Sequence, residues 1–225
     1  MSDENLRDRL RAVRTPQTEL PVFDTTAAPA DPLTLFGQWL DAAVEAGVQQ
    51  LNAVTLSTAS ASGVPSARTL LLKDVTDEGF WFATLTSGPK GADLRENPRA
   101  ALTLYWREQG RQVRVYGEVR PGPREVSEQD FLARHPVARA QAIAGEQSQP
   151  MPGTEQVAGL LASARELILI DPQFVPETWS AFVIEPQTVE FWQAAAGNEQ
   201  VRLRYRREMA GPISASGWAR ELLWP

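Results

Sequence analysis

The stretch Pro65-Ser66-Ala67-Arg68-Thr69-Leu70-Leu71-Leu72-Lys73 is the best guide to the fold of this chain. It has the length of a β-strand, a leucine-rich centre and a cation towards each end. In an ideal strand, Arg68 and Lys73 point to opposite faces because their separation is odd. The two cations can therefore meet one ligand only if the strand bends or the ligand lies at a sheet edge. Otherwise they are the charged ends of a buried strand.

Similar β-rich runs lie on both sides of this stretch, separated by turn sequences such as Ser62-Gly63 and Glu108-Gln109-Gly110. Strands at such short spacing predict an antiparallel meander that closes into a barrel. The predicted strands cover residues 52–59, 65–73, 79–85, 100–106, 112–120, 179–184, 188–192, 201–207 and 216–223. We therefore expect a mainly β fold with peripheral helices.

One helix is predicted before the first strand, and four more are predicted between later strands. Asp31-Pro32 has the pattern of an N-cap followed by proline in the first turn, and Gly47 ends that helix. Further helices are predicted at 90–96, 124–134, 136–146 and 155–169, the last with Val157, Leu160, Leu161, Ala164 and Leu167 inward. Residues 1–30 are predicted to be a mobile N-terminal arm and residues 31–225 a single domain.

Composition excludes several classes of site. The 225 residues include no cysteine, so disulfides, zinc–thiolate sites, iron–sulfur clusters and a thiol nucleophile are excluded. His135 is the only histidine, so no multi-histidine metal site can form, and at a helix end it is predicted to be a C-terminal cap rather than a catalyst. A net charge of −6 does not favour nucleic-acid binding. Neither a signal peptide nor a membrane span is present in the sequence, which predicts a cytoplasmic protein that does not contact membranes.

Several polar signals are individually weak. Gly88-Pro89-Lys90-Gly91 precedes a short helix and suits a phosphate, although it could also be an ordinary turn. Gln112 offers a donor and an acceptor from a strand, and Trp192 could stack on a ligand or pack in the core. Arg202 belongs to a basic strand that could equally be a solvated face. Together these residues supply what a flavin mononucleotide (FMN) site needs, namely cations and a helix start for the phosphate and an amide for the ring edge.

The chain resembles the pyridoxine/pyridoxamine 5′-phosphate oxidase family of FMN-binding split-barrel proteins from Asp31-Pro32 to Trp224-Pro225. The segments that carry the resemblance are 65–73, Leu104-Tyr105-Trp106, Arg111–Gly117, Gln147-Ser148 and Val189-Glu190-Phe191-Trp192-Gln193. The resemblance implies a six-stranded antiparallel split barrel, a homodimer, and FMN in a cleft built by both subunits. By position it assigns cofactor contacts to Arg68, Thr69, Leu70, Leu71, Lys73, Thr84, Lys90, Gln112, Gln147, Ser148, Trp192 and Arg202.

This sequence departs from the family pattern mostly on the substrate side. Ala83 and Pro89 replace a tyrosine and an arginine near the cofactor. The substrate phosphate positions are Lys73, Asp130, Arg134 and Ala138, where the family has lysine, tyrosine, arginine and serine. An Arg-x-His pair of the family is replaced by Asn198 and Gln200. Retained cofactor positions with altered substrate positions indicate a flavin scaffold with a changed substrate.

The resemblance therefore implies an FMN-dependent oxidase that transfers hydride from a small, anionic heterocyclic substrate to flavin N5, with reoxidation by oxygen. Lys73, Arg134, Asn198 and Gln200 are the predicted substrate-binding residues, no catalytic residue is assigned, and no metal is expected. Pyridoxine or pyridoxamine phosphate is the family's substrate, and a phenazine-type precursor is another. The alternatives are an FMN-binding carrier or sensor without turnover, and a split barrel that binds a deazaflavin or haem.

Overall fold

The structure, a computed structural model, describes residues 5–13, 20–195, 199–208 and 217–225. These residues contain nine β-strands and six α-helices. The strands are β1 (Ala53–Ala59), β2 (Pro65–Leu71), β3 (Asp74–Thr76), β4 (Gly79–Leu85), β5 (Arg99–Trp106), β6 (Arg111–Pro121), β7 (Trp179–Ala194), β8 (Gln200–Arg207) and β9 (Trp218–Leu222). The helices are α1 (Leu6–Ala12), α2 (Pro32–Glu45), α3 (Pro89–Glu96), α4 (Arg124–Leu132), α5 (Pro136–Ala144) and α6 (Thr154–Ile170).

All nine strands belong to one antiparallel sheet in the order β2-β1-β5-β6-β7-β4-β3, with β8 paired to β7 and β9 to β8. The predicted class, a mainly β antiparallel split barrel with helices outside it, is confirmed. The predicted count of six strands is wrong. The chain re-enters the sheet as β3 after a break at residues 72–73, and the β8–β9 hairpin extends the sheet beyond β7.

Strand alternation builds the core, because every second residue faces the same side of the sheet. In β5 the buried residues are Ala100, Leu102, Leu104 and Trp106. Helix α2 covers this core with an apolar face whose Phe36 meets Phe80 edge-on at 5.1 Å between ring centroids. Asp31 begins α2 as predicted, since its Oδ2 accepts a hydrogen bond from the Thr34 amide at 2.8 Å.

Strand β7 corrects the prediction of two strands at 179–184 and 188–192. The three residues between the two predicted strands, Glu185-Pro186-Gln187, include a proline, which cannot donate a ladder hydrogen bond. The strand instead continues through a bulge at which Gly117 of β6 lies opposite Pro186. A Cβ at Gly117 would lie 1.9 Å from the Glu185 carbonyl oxygen, so only glycine permits this close approach.

One prediction about the helices is wrong, and another holds in part. His135 is the N-cap of α5, not a C-terminal cap, because α4 ends at Leu132 and Pro136 begins the next helix. Its Nδ1 accepts a hydrogen bond from the Val137 amide at 3.3 Å. The face of α6 that was expected to point inward is the less exposed side of that helix: Ala164 is buried, Val157, Leu161 and Leu167 are half-buried, and Leu160 is 44% exposed.

The described residues just before α2 lie against the sheet. Tyr205 donates a hydrogen bond to the Pro29 carbonyl at 2.6 Å, and Arg220 donates one to the Ala28 carbonyl at 2.6 Å. Phe23 packs edge-on against Trp39 at 4.9 Å between ring centroids. Residues 1–4 and 14–19 of the predicted arm lie outside the described residues. The division into an arm and one domain stays a prediction.

Candidate active site

A cleft of about 980 Å³ separates the end of the sheet from the pair of helices α5 and α6. Its sheet side comes from β2, β4 and the start of α3, and its other side comes from α5, α6 and the segment between them. Ten of the predicted site residues line it: Arg68, Thr69, Leu70, Leu71, Lys73, Thr84, Lys90, Arg134, Gln147 and Ser148. Its ionisable lining residues are four cations and one carboxylate, Arg68, Lys73, Lys90, Arg134 and Glu146.

The end of β2 explains how Arg68 and Lys73 reach the same cleft. The strand stops at Leu71, and the Lys73 amide donates to the Trp81 carbonyl at 2.8 Å before β3 begins. The chain therefore bends between the two cations. This bend is the condition under which the sequence allows both side chains to serve one ligand.

Arg68 is held by neutral oxygen atoms. Its guanidinium donates to Thr58 Oγ1 at 2.8 Å, to Ser66 Oγ at 2.6 Å and to the Leu56 carbonyl at 3.3 Å. Thr58 in turn donates to Asp93 Oδ2 at 2.6 Å, so a hydroxyl stands between this cation and the carboxylate of α3. Burial lowers the pKa of Arg68, and the charge of Asp93 partly opposes that shift. The guanidinium is thus fixed in direction and still carries its full charge.

Lys90, in the first turn of α3, is only 6% exposed. Its Nζ donates to Gln147 Oε1, and within the described residues it forms no ion pair with a carboxylate. Burial, with a smaller contribution from the charge of Arg68, lowers the pKa of Lys90 from 10.5 to about 8. A buried cation without a counter-charge is unfavourable by itself, so this arrangement favours an anionic ligand.

Within the described part of the chain, the first turn of α3 leaves only the Lys90 amide without a backbone partner, because Pro89 has no N–H and the Gly91 amide donates to the Gly88 carbonyl at 2.9 Å. Gly88 is the N-cap of α3 and makes no side-chain capping bond. A Cβ at Gly91 would lie 2.2 Å from the Thr86 carbonyl oxygen, so glycine is needed for α3 to start this close to β4. Ser148 takes a left-handed backbone conformation with φ of 68°, which turns the 147–148 segment towards the cleft lining. The Lys90 amide and the positive end of the helix dipole are suited to bind a phosphate.

A second set of charges lies around Trp179, which is the first residue of β7 and also lines the cleft. Lys73 Nζ lies 2.9 Å from Asp130 Oδ1, and Trp179 Nε1 donates to Asp130 Oδ2 at 3.1 Å. Arg134 stacks over the Trp179 ring, with Cζ 4.4 Å from the centroid. Burial lowers the pKa of Arg134, and Asp130 opposes that shift. Sequence reasoning identified Asp130 as a departure but missed its pairing with Lys73 and missed Trp179 entirely.

Four of the predicted site positions do not line this cleft. Gln112, Trp192 and Arg202 face one another across neighbouring strands β6, β7 and β8, where Gln112 pairs with Trp192 and Trp192 with Arg202. Gln200 joins them, because its Oε1 accepts a hydrogen bond from Trp192 Nε1 at 2.7 Å. The predicted substrate residue Asn198 lies outside the described residues.

Arg202 in this second cluster is already paired. Its Nη2 lies 2.7 Å from Glu190 Oε1, and its Nη1 donates to the Trp224 carbonyl at 2.9 Å. Glu190 also lies 3.7 Å from Arg114. Side chains alternate along β7, so Glu190 and Trp192 lie on one face. This alternation, read from the sequence, could have identified Glu190 as an ion-pair partner for an arginine of β8.

Among the described residues, no helix is long and apolar enough to cross a membrane. No group of three or more histidine, cysteine, aspartate or glutamate side chains in that part of the chain is placed to hold a metal ion. The cations that line the cleft suit an anionic ligand.

Two family profiles match the chain. One, described as pyridoxamine 5′-phosphate oxidase, covers residues 40–166. The other, described as the pyridoxine 5′-phosphate oxidase C-terminal dimerisation region, covers residues 179–225. The cleft residues from Arg68 to Ser148 fall in the first region, and Trp192 and Arg202 fall in the second.

Individual relatives agree over almost the whole chain. A protein from Nocardioides sp. named pyridoxine/pyridoxamine 5′-phosphate oxidase is 37% identical over 96% of this chain and 98% of its own length. One of the same name from Rubrobacter xylanophilus is 36% identical over 99% of both chains. Among solved structures, PhzG from Burkholderia lata, in complex with tetrahydrophenazine-1-carboxylic acid, superposes with a TM-score of 0.84 at 28% identity, covering 92% of this chain and all of that one.

Proposed function

Because the chain belongs to the pyridoxine/pyridoxamine 5′-phosphate oxidase family of FMN-dependent oxidoreductases, we propose that its cleft binds FMN and that it oxidises a small anionic heterocycle. The observation that carries the proposal is Lys90, a buried cation without a carboxylate partner in the described part of the chain. It lies at a helix start and shares a cleft with Arg68. These residues fit the phosphate of a mononucleotide.

We assign the phosphate group of FMN to the end of the cleft that contains the cations Arg68 and Lys90. Arg68 is oriented by three hydrogen bonds. Burial disfavours the charged form of Lys90, and a bound phosphate dianion would stabilise that charge. Each charge-assisted hydrogen bond to a phosphate contributes about 1.5–3 kcal/mol. The amide of Gln147, which accepts from Lys90, and the turned backbone of Ser148 close the same end. Thr69, Leu70, Leu71 and Thr84 complete the proposed cofactor wall.

The ring end of the flavin is assigned to a second copy of the chain. Gln112, Trp192 and Arg202 do not line the cleft of their own protomer, and two of them lie in the region described as a dimerisation region. The dimerisation region supports a homodimer. We infer that each flavin site combines the cleft of one protomer with the Gln112–Trp192–Arg202 face of its partner.

Complementation between defective variants tests this arrangement. Arg68→Gln with Lys90→Met disables the cleft, whereas Trp192→Leu disables the opposite face. In a mixed dimer, one site receives both defects and the other receives none, so about one quarter of all sites should bind FMN after random reassortment. Absorbance of bound flavin after gel filtration measures this fraction. No recovery above the sum of the separate variants would show that each site is built by one protomer.

When bound, FMN supplies a ring that accepts hydride at N5 and is reoxidised by oxygen. The residues of this chain have the task of holding the substrate against that ring and excluding water. Arg134 and Lys73 line the same cleft, and the proposal assigns the anionic group of the substrate to them. Apolar side chains of α5 and α6, including Ala142 and Leu161, cover the heterocycle.

The decisive experiment is the visible spectrum of the purified protein followed by anaerobic titration. Flavin bands support the cofactor assignment, and bleaching by a candidate substrate supports turnover. The panel contains pyridoxine phosphate, pyridoxamine phosphate and a dihydro- or tetrahydrophenazine carboxylate. A yellow protein that no substrate bleaches would favour the FMN carrier or sensor, and a colourless protein that refuses added FMN would refute the proposal.

A further inference from the structure

We propose, on the premise of the flavin-dependent oxidation above, that Lys73, Asp130 and Arg134 form a site for a singly charged carboxylate rather than for a phosphate ester. Asp130 is the specificity-determining residue of this site. The proposal names the class of substrate, an aromatic or heterocyclic carboxylic acid. It rests on the ion pair, the burial and the aromatic contacts at the Trp179 end of the cleft.

Asp130 removes one positive charge from the site. Its two oxygens are both occupied, one by Lys73 Nζ at 2.9 Å and the other by Trp179 Nε1 at 3.1 Å. Its side chain is only 13% exposed, so solvent screens it weakly. Two cations and one fixed carboxylate leave one net positive charge. That charge balances a carboxylate and leaves a phosphate dianion with an unmatched negative charge.

Arg134 is the cation that remains available. Among the described residues it forms no ion pair within 4.0 Å, and its Nε is buried without a hydrogen-bond partner. Its guanidinium lies over the Trp179 ring, with Cζ 4.4 Å from the centroid, a cation–π contact that holds it beside the cleft. A planar guanidinium with parallel donors matches the two oxygens of a carboxylate.

The lining next to this site is apolar. Ala138 and Ala142 of α5 and Val157, Leu160 and Leu161 of α6 line the same cleft. Leu160 is exposed in the protomer, so an apolar ligand beside it would remove apolar surface from water. The combination of one net charge and an apolar wall fits a ring that bears a carboxylate.

The expected discrimination follows from Coulomb's law. At about 6 Å and an effective dielectric constant of about 40, the extra negative charge of a phosphate dianion is disfavoured by Asp130 by about tenfold in affinity. Asp130→Asn removes the charge and keeps an oxygen that can accept from Trp179. The variant should therefore bind a carboxylate about tenfold more tightly and a phosphate dianion about 100-fold more tightly.

The experiment is calorimetric titration of the full-length protein with two probes, pyridoxal 5′-phosphate and naphthalene-2-carboxylate. Neither probe can reduce flavin, so binding is measured without turnover. Each titration is done on protein saturated with FMN and on protein as purified, with the flavin content measured separately. A protein that fails to take up FMN but still distinguishes the probes would refute the flavin proposal and leave the charge assignment standing.

The control variant is Glu128→Gln, which removes one negative charge from the same helix. Glu128 pairs with exposed Arg124 at 2.9 Å and does not line the cleft, so neither dissociation constant should change by more than twofold. Asp130→Ser serves as a second variant if Asp130→Asn lowers the melting temperature markedly. Tighter binding of pyridoxal phosphate than of naphthalene-2-carboxylate by the unaltered protein would overturn the proposal. So would equal changes for both probes on removal of the Asp130 charge.

Discussion

Lys90→Met is expected to weaken cofactor binding and at the same time to stabilise the protein without cofactor. The ordinary pKa of 10.5 falls to about 8 at this site, because burial disfavours the charged amine. At pH 7 that shift corresponds to an unfavourable contribution of about 2 kcal/mol to folding after allowance for solvent screening. Methionine fills the same space without a charge. Loss of one charge-assisted bond to phosphate should raise the dissociation constant of FMN about 10–100-fold.

The difference in stability between the unaltered apoprotein and Lys90→Met should change with pH in one direction, which a purely structural role of Lys90 would not produce. In the folded protein Lys90 loses its proton near pH 8, whereas in the unfolded chain it does so near pH 10.5. The unfolded state therefore binds more protons between these values, and the stability of the unaltered apoprotein rises relative to Lys90→Met as pH increases through this window. The advantage of the variant is fully present below pH 8 and is lost by about pH 10.5.

Denaturant unfolding of the apoprotein at several pH values and fluorescence titration of FMN together measure both effects. Arg95→Gln is the matched control, because Arg95 is an exposed cation in the last turn of the same helix and does not line the cleft. Its FMN affinity should stay within twofold. The reasoning is refuted if Lys90→Met makes the apoprotein less stable at pH 7, or if FMN binds it as tightly as before.

Two other substitutions test the site and the fold. The double variant Arg68→Gln, Lys90→Met should retain no FMN through gel filtration, because two charge-assisted phosphate bonds are lost together; retention of stoichiometric flavin would show that the phosphate lies elsewhere. Gly117→Ala should lower the free energy of unfolding by about 2–4 kcal/mol, since its Cβ would lie 1.9 Å from a backbone oxygen. Gly37→Ala in α2 is its control, with no atom within 4 Å of the new Cβ, and should stabilise by about 0.5–1 kcal/mol. An unchanged melting temperature for Gly117→Ala would mean that the bulge can relax.

Local patterns in the sequence predicted most of the elements. Strand β4 occupies its predicted residues, and α2 begins at its predicted cap. Errors occurred where tertiary contacts override local preference. Separate strands were predicted on either side of Pro186, yet a bulge opposite Gly117 accommodates it, and that pairing joins residues distant in sequence.

The sequence predicted which residue types form the site, but it did not predict which of their charges are paired or buried. The spacing of Arg68 and Lys73 allowed one shared ligand only with a bend, and the sequence did not show that the strand stops at Leu71. Nor could it show that Asp130 reaches Lys73, since ion pairs depend on how helices dock against the sheet. The burial of Lys90 likewise follows from the close approach of α3 to β4, which no local pattern encodes.

The bulge at Pro186 determines which side of β7 faces the core. Before it, even-numbered residues such as Phe182 and Ile184 are in the main core, whereas after it the odd-numbered Val189 and Phe191 are. One extra residue thus inverts the phase of the strand and leaves Trp192 outside. Loss of the one extra residue at the bulge would restore the original phase, turn Trp192 inward and expose Phe191.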